Sequence, residues 1–181
     1  KSKDLVRGIA SKTAQENLSL SKGEIRKGAH EVTIDASMVA LWNASIGTSQ
    51  PYTLSLERSK RVGFSERIIP HGLLMNLALS LCGREILANA TAELGVQEVY
   101  YEKAACMGDT FHGELMIQDI RQSSGSARSV VKSRLALFNQ NNERVFSVAL
   151  LTAHIGLKND QDEVTTESSK FSAPNSREYL S

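Results

Sequence analysis

The stretch Arg67-Ile-Ile-Pro-His-Gly-Leu-Leu-Met-Asn-Leu-Ala-Leu-Ser-Leu-Cys-Gly83 limits what this chain can fold into more than any other part of it. Leu73, Leu74, Leu77, Ala78 and Leu81 recur at helical spacing, and Met75 and Leu79 fill much of the opposite side, so the helix they predict is apolar nearly all round. Such a helix has to be wrapped by other elements. Pro70 holds Ile69 extended, and Pro70, His71 and Gly72 lead into a first turn whose backbone N–H groups have no partners inside the helix. That entry is a donor site for an oxygen carrying partial negative charge.

A chain of 181 residues with 41% hydrophobic content fits one domain with a sizeable core. Formal charge is +1 and the sequence pI about 8.0, so no global field recruits nucleic acid or an anionic membrane. Cys82 and Cys106 lack neighbours at metal-ligand spacing and read as reduced thiols of an intracellular protein. His30, His112 and His154 are scattered along the chain and give no metal-binding pattern. The apolar run from Ile68 to Cys82 is interrupted by Pro70, His71 and Asn76 and is too short for a bilayer. Lys1-Ser-Lys-Asp has neither a methionine nor an apolar signal core, so a cut or processed end and a cytoplasmic location are expected.

Residues 1–22 read as a peripheral segment, with a short helix through Ile9 to Asn17. Glu24 to Ile34 reads as extended and broken at Lys27-Gly28, with Asp35 as the N-cap of a helix carrying Met38, Val39, Leu41 and Trp42 and ending near Gly47. Gly47 and Pro51 mark the next segment as a loop leading into the basic stretch Arg58-Ser-Lys60-Arg61. The central helix runs to about Ala90. Four strands follow: Val96 to Glu102, Phe111 to Gln122, Ala127 to Asn139 and Arg144 to Ile155. The links between them are short, which predicts antiparallel pairing of consecutive strands. Residues 158–181 read as a polar tail, flexible or docked on a partner. One strand, two helices and four antiparallel strands give an α+β hot-dog fold over residues 23–157, a sheet curled around one long helix. A single such sheet leaves a strand edge for a second copy to cover, so a dimer is expected.

Three places carry a resemblance, running from about Gly23 to Ile155: Gly47-Thr48-Ser49-Gln50-Pro51-Tyr52-Thr53, Ile69-Pro70-His71-Gly72-Leu73-Leu74, and Gly108-Asp109-Thr110 ahead of a long strand. They resemble the MaoC-like (R)-specific enoyl-CoA hydratases and dehydratases, the first standing where that family carries Gly-Asp-x-Asn-Pro-x-His. The resemblance implies addition or removal of water across the double bond of an acyl thioester, without a cofactor. It implies an acid–base Asp/His pair, and a backbone N–H near the helix start that polarises the thioester carbonyl. Here the Asp position carries Thr48, the Asn position Gln50 and the His position Thr53. A threonine hydroxyl orients water but is no general base near neutral pH.

The candidate catalytic residues are therefore His71 as substitute acid/base, Thr48 and Thr53 at the signature positions, and Asp109, weighed against a structural loop histidine and a turn-capping aspartate. Candidate substrate-binding residues are Gly72 as backbone donor, Ser49, Gln50 and Tyr52 lining a polar pocket, and Arg58, Lys60 and Arg61 facing the phosphates of coenzyme A or a carrier-protein arm. Three readings follow. The first is a hydratase or dehydratase with rearranged catalytic residues. The second is a non-catalytic, acyl-thioester-binding subunit that pairs with an active hot-dog partner, as homodimer or heterodimer. The third, a hot-dog thioesterase, needs a carboxylate at the helix start, whereas Glu85 and Glu93 fall late in the helix or after it.

Overall fold

In the computed structural model, which describes residues 19–47, 50–122, 128–155 and 157–159, a two-residue strand Ser19–Leu20 (β1) precedes the long edge strand Ile25–Thr33 (β2). The break expected at Lys27-Gly28 is a register shift of β2 between Lys27 and Glu31. Asp35 caps the helix Ala36–Ile46 (α1) by accepting the Met38 N–H at 2.9 Å, and Gly47, at φ 64°, stops it in the left-handed region. From Pro51 onward the segment expected to be a loop is helical instead. Pro51 opens Pro51–Leu54 (α2), where its missing N–H costs nothing, and the Ser55 hydroxyl then caps Leu56–Arg61 (α3).

The central helix is composite: His71–Ala78 (α4), a π-turn Leu79–Gly83, and Arg84–Asn89 (α5). The strands Ala92–Tyr101 (β3), Thr110–Gln122 (β4), Arg128–Phe138 (β5) and Arg144–Ile155 (β6) follow, and Lys158–Asn159 (β7) pairs parallel with β1. The five-stranded sheet is antiparallel in the order β2-β4-β5-β6-β3. This corrects one expectation, because β3 pairs with β6 and not with the next strand in sequence. The link to β4 crosses the end of the sheet and is held on both sides, by Glu102 N–H on Val145 O, Ile69 N–H on Ala105 O and Gly108 N–H on Ile34 O. Leu20 is a second correction: it lies in the segment read as peripheral, yet it is 1% exposed and packs in the core. The expected helix through Ile9 to Asn17 and the tail beyond Asn159 lie outside the described residues.

Leu73, Leu74, Leu77 and Ala78 of α4 pack on Phe111, Leu115 and Ile117 of β4, Val131, Leu135 and Leu137 of β5, and Phe146 and Val148 of β6. Burial of each such large side chain contributes about 1.5–3 kcal/mol. The sheet comes close because of two glycines. A Cβ on Gly28 would stand 2.5 Å from Leu81 O, and one on Gly113 would stand 3.0 Å from Leu81 Cβ. The wrapping is not complete: His71, Gly72, Asn76 and Ser80 are exposed and Met75 and Leu79 half-buried, so one flank of the helix has no cover from the described sheet. The edge strand β3 also keeps Leu94, Val96 and Val99 exposed.

Where the helix ends, His154 of β6 is buried with Nδ1 against Asn89 O at 3.2 Å and Nε2 against Thr152 Oγ1 at 2.8 Å. Burial lowers its pKa below 6.5, so the folded chain resists the proton that the unfolded chain accepts. Stability is therefore fully present above pH 6.5 and falls as pH drops below it, whereas the carboxylates held below their usual range act only at lower pH. Thermal midpoints are expected to decline between about pH 6.5 and 5. A flat profile there would mean His154 keeps its ordinary pKa.

Candidate functional site

The exposed start of the central helix gathers elements from four parts of the chain. Pro70 is the N-cap, and its carbonyl accepts from Leu73 N–H at 2.9 Å and Leu74 N–H at 3.2 Å. The N–H groups of His71 and Gly72, the first two residues of the helix, make no bond to another described backbone group and lie at the positive end of the helix dipole. Trp42 of α1 lies directly over Gly72. A Cβ there would meet Trp42 Cζ2 at 2.9 Å, so only glycine lets the indole close on the helix start. The Trp42 Nε1–H beside it is buried without a partner among the described residues.

The imidazole of His71 stacks on Tyr101 at the end of β3, with ring centroids 3.8 Å apart and planes 15° from parallel, and Tyr101 leans on Phe146 at 5.1 Å. Partial burial lowers the His71 pKa, keeping the ring neutral near pH 7, and it raises that of Tyr101. No described carboxylate forms an ion pair or hydrogen bond with His71.

The other expected site residues fare differently. Asp109 is a turn cap and not a free base: Oδ2 accepts from Cys106 N–H at 2.8 Å, and Oδ1 accepts from Gln140 Nε2 at 2.9 Å. Gln140 Oε1 in turn accepts from Thr110 N–H at 3.0 Å, which ties the β5–β6 turn to the start of β4. Thr53 is 3% exposed, and its hydroxyl donates to Gln50 O at 2.9 Å, so it lines the interior of α2 and no open pocket. Gln50 and Tyr52 are exposed; the Tyr52 carbonyl accepts from Ile68 N–H at 3.2 Å and Ser59 Oγ at 2.7 Å, docking α2 and α3 beside the segment that enters the helix. Arg58, Lys60 and Arg61 are exposed on α3, and Arg61 pairs with Glu57 at 3.5 Å. Thr48 and Ser49 lie outside the described residues.

Sequence reasoning missed Tyr101 and the closeness of Trp42 to Gly72. Neither has a spacing signal, since each meets the helix start only through tertiary packing. Glu85, weighed for a thioesterase, holds Arg26 at 2.6 Å near the far end of the helix. Among the described residues no group of His, Cys, Asp and Glu could hold a metal ion, and no helix is long and apolar enough to cross a membrane.

The model of the FAS1-like dehydratase domain region family matches residues 22–148. Among solved structures, a MaoC domain protein from Chloroflexus aurantiacus superposes with a TM-score of 0.73 at 19% identity, over 91% of this chain and 46% of that one. A double hot-dog protein from Mycobacterium tuberculosis gives 0.66 at 18% identity, over 85% and 48%. The HadBC (3R)-hydroxyacyl-ACP dehydratase complex of the same organism gives 0.62 at 14% identity, over 73% and 96%. At such identities the likeness shows the fold, and it is the hot-dog expected from the sequence. The chain spans about half the length of the first two. No curated protein sequence matches it. The resemblance to MaoC-like dehydratases is borne out by the family match together with this fold.

Proposed function

This chain belongs to the FAS1-like dehydratase domain region family, and we propose that it is the thioester-holding hot-dog of a hydratase or dehydratase, working against a second hot-dog that brings the acid–base pair. The substrate is an enoyl or 3-hydroxyacyl thioester. Hydration puts hydroxyl on Cβ and hydrogen on Cα, and dehydration reverses both, so no electron acceptor is needed. In either direction negative charge gathers on the thioester oxygen. The Gly72 N–H at the helix start is the donor that meets it.

The observation that carries the need for a partner is the state of His71. It is stacked on Tyr101, biased toward the neutral form, and lacks a described carboxylate to orient it. Acid–base catalysis asks for a group held within hydrogen-bond reach of the proton it moves, with its tautomer fixed. Asp109 and Thr53 already spend their oxygens inside the fold. The uncovered flank of the central helix and the apolar edge β3 are where a second hot-dog, identical or different, fits. The double hot-dog relative has such a pair in one chain.

Titration with crotonyl-CoA is expected to show saturable binding that His71→Ala changes by no more than about two-fold, with slow turnover equally unaffected. Brisk turnover lost in His71→Ala would make His71 the catalyst and overturn the reading. Absence of any crotonyl-CoA binding would remove the thioester site itself.

A further inference from the structure

We infer that the outer face of α2 and α3 is a docking surface for an acidic carrier domain, which would deliver the acyl group on a flexible thioester arm; this rests on the reading of the Gly72 end as a thioester site. Three apolar side chains stand open there: Leu54 at 48%, Leu56 at 37% and Val62 at 51% exposed. Between them Arg58, Lys60 and Arg61 point outward, and only Arg61 has an acidic partner among the described residues. Of the six residues of α3, Ser59 alone is buried, and its hydroxyl anchors the helix to Tyr52 O. The rest of this short helix does nothing for the core.

Charge and apolar surface together select the occupant. The whole chain carries only +1, so three cations within four residues are a local feature and not part of a general basic field. Coenzyme A would offer phosphates to these cations but nothing to cover Leu54, Leu56 and Val62. An acidic helix with apolar residues along its edge matches both, and the apolar patch gains by being covered. A second hot-dog is expected elsewhere, on β3 and the open helix flank. The location also fits delivery, since the Ile68 N–H to Tyr52 O bond ties the patch to the segment running into Pro70 and Gly72.

The test separates the surface from the thioester site with two probes. An apo acyl carrier protein, which has no arm, reports docking alone; crotonyl-CoA, which has no carrier domain, reports the thioester site. The full chain is expected to bind the apo carrier with an affinity that falls as salt rises. Arg58→Glu with Lys60→Glu is expected to weaken carrier binding at least about ten-fold. Leu54→Ser, which leaves charge intact, is expected to weaken the carrier alone. Carrier binding that ignores both changes overturns the inference, as does a charge reversal that costs crotonyl-CoA its affinity and spares the carrier. Binding to vesicles of anionic phosphatidylserine, lost on charge reversal, without binding to the carrier would make the patch a membrane surface and overturn it too. Crotonyl-CoA binding that fails while carrier docking persists sinks the thioester site but supports the docking surface.

Discussion

Leu77→Ala is expected to lower the unfolding free energy by about 2–5 kcal/mol, while Leu81→Ala costs distinctly less, although helical spacing makes the two residues equivalent. Leu77 is 8% exposed and sits in the main core, between the helix and the sheet. Its truncation leaves a void that the sheet cannot collapse into. Leu81 falls within the π-turn, is only half-buried, and lines a cavity of about 510 Å³ with Gly28, Cys82 and Ile86. Its removal enlarges space that is already partly open. Urea titration of both variants decides the matter, and equal losses would mean that the helix runs through Leu81 without the extra residue.

That extra residue shows where the sequence stops being legible. Counting at 3.6 residues per turn carries the buried face from Leu73, Leu74, Leu77 and Ala78 on to Leu81 and Cys82. The π-turn adds one residue and rotates the face, so that Gly83 and Ile86 are the next buried positions. No pattern in the apolar residues marks the insertion, because nearly every position there is apolar. What marks it is close approach: Gly28 and Gly113, far apart in sequence, both make room for Leu81 and Cys82. Cys82 shares this crowding, and burial pushes its thiol up to about 12, which keeps it protonated and weakly nucleophilic.

The bounds of β4, β5 and β6 were readable because turn residues are local, whereas β3 begins at Ala92, four residues before the Val96 expected. The sheet order was not, since the short link from β3 to β4 satisfies a hairpin as well as a crossing, and only its bonds to Val145, Ile69 and Ile34 show which. At the site, the His-Gly entry could be read because Pro70 and the helix behind it fix the geometry locally. The turn-capping alternative for Asp109 could be read from Gly108-Asp109-Thr110, but the role of Thr53 could not, because it depends on which nearby backbone group takes up its hydroxyl.

The second large effect expected is on catalysis. Pairing this chain with a hot-dog that carries a complete Asp/His signature should raise its hydration of crotonyl-CoA by about 10²–10⁴-fold, the usual worth of a positioned acid–base group. Writing the signature into this chain with Thr48→Asp and Thr53→His, with or without Gln50→Asn, should not. Thr53 sits almost fully buried in a space shaped for a hydroxyl, with its donor already given to Gln50 O. An imidazole there overpacks α2, at a cost of about 1–3 kcal/mol, before it can reach a substrate. Loss of enoyl-thioester absorbance gives the rates, and thermal midpoints show whether each variant keeps its fold. A hundred-fold gain from the double substitution at unchanged stability would place residue 53 at the thioester and return the acid–base pair to this chain. A partner hot-dog that forms the complex yet adds no rate would leave this chain as an acyl holder without a catalytic role.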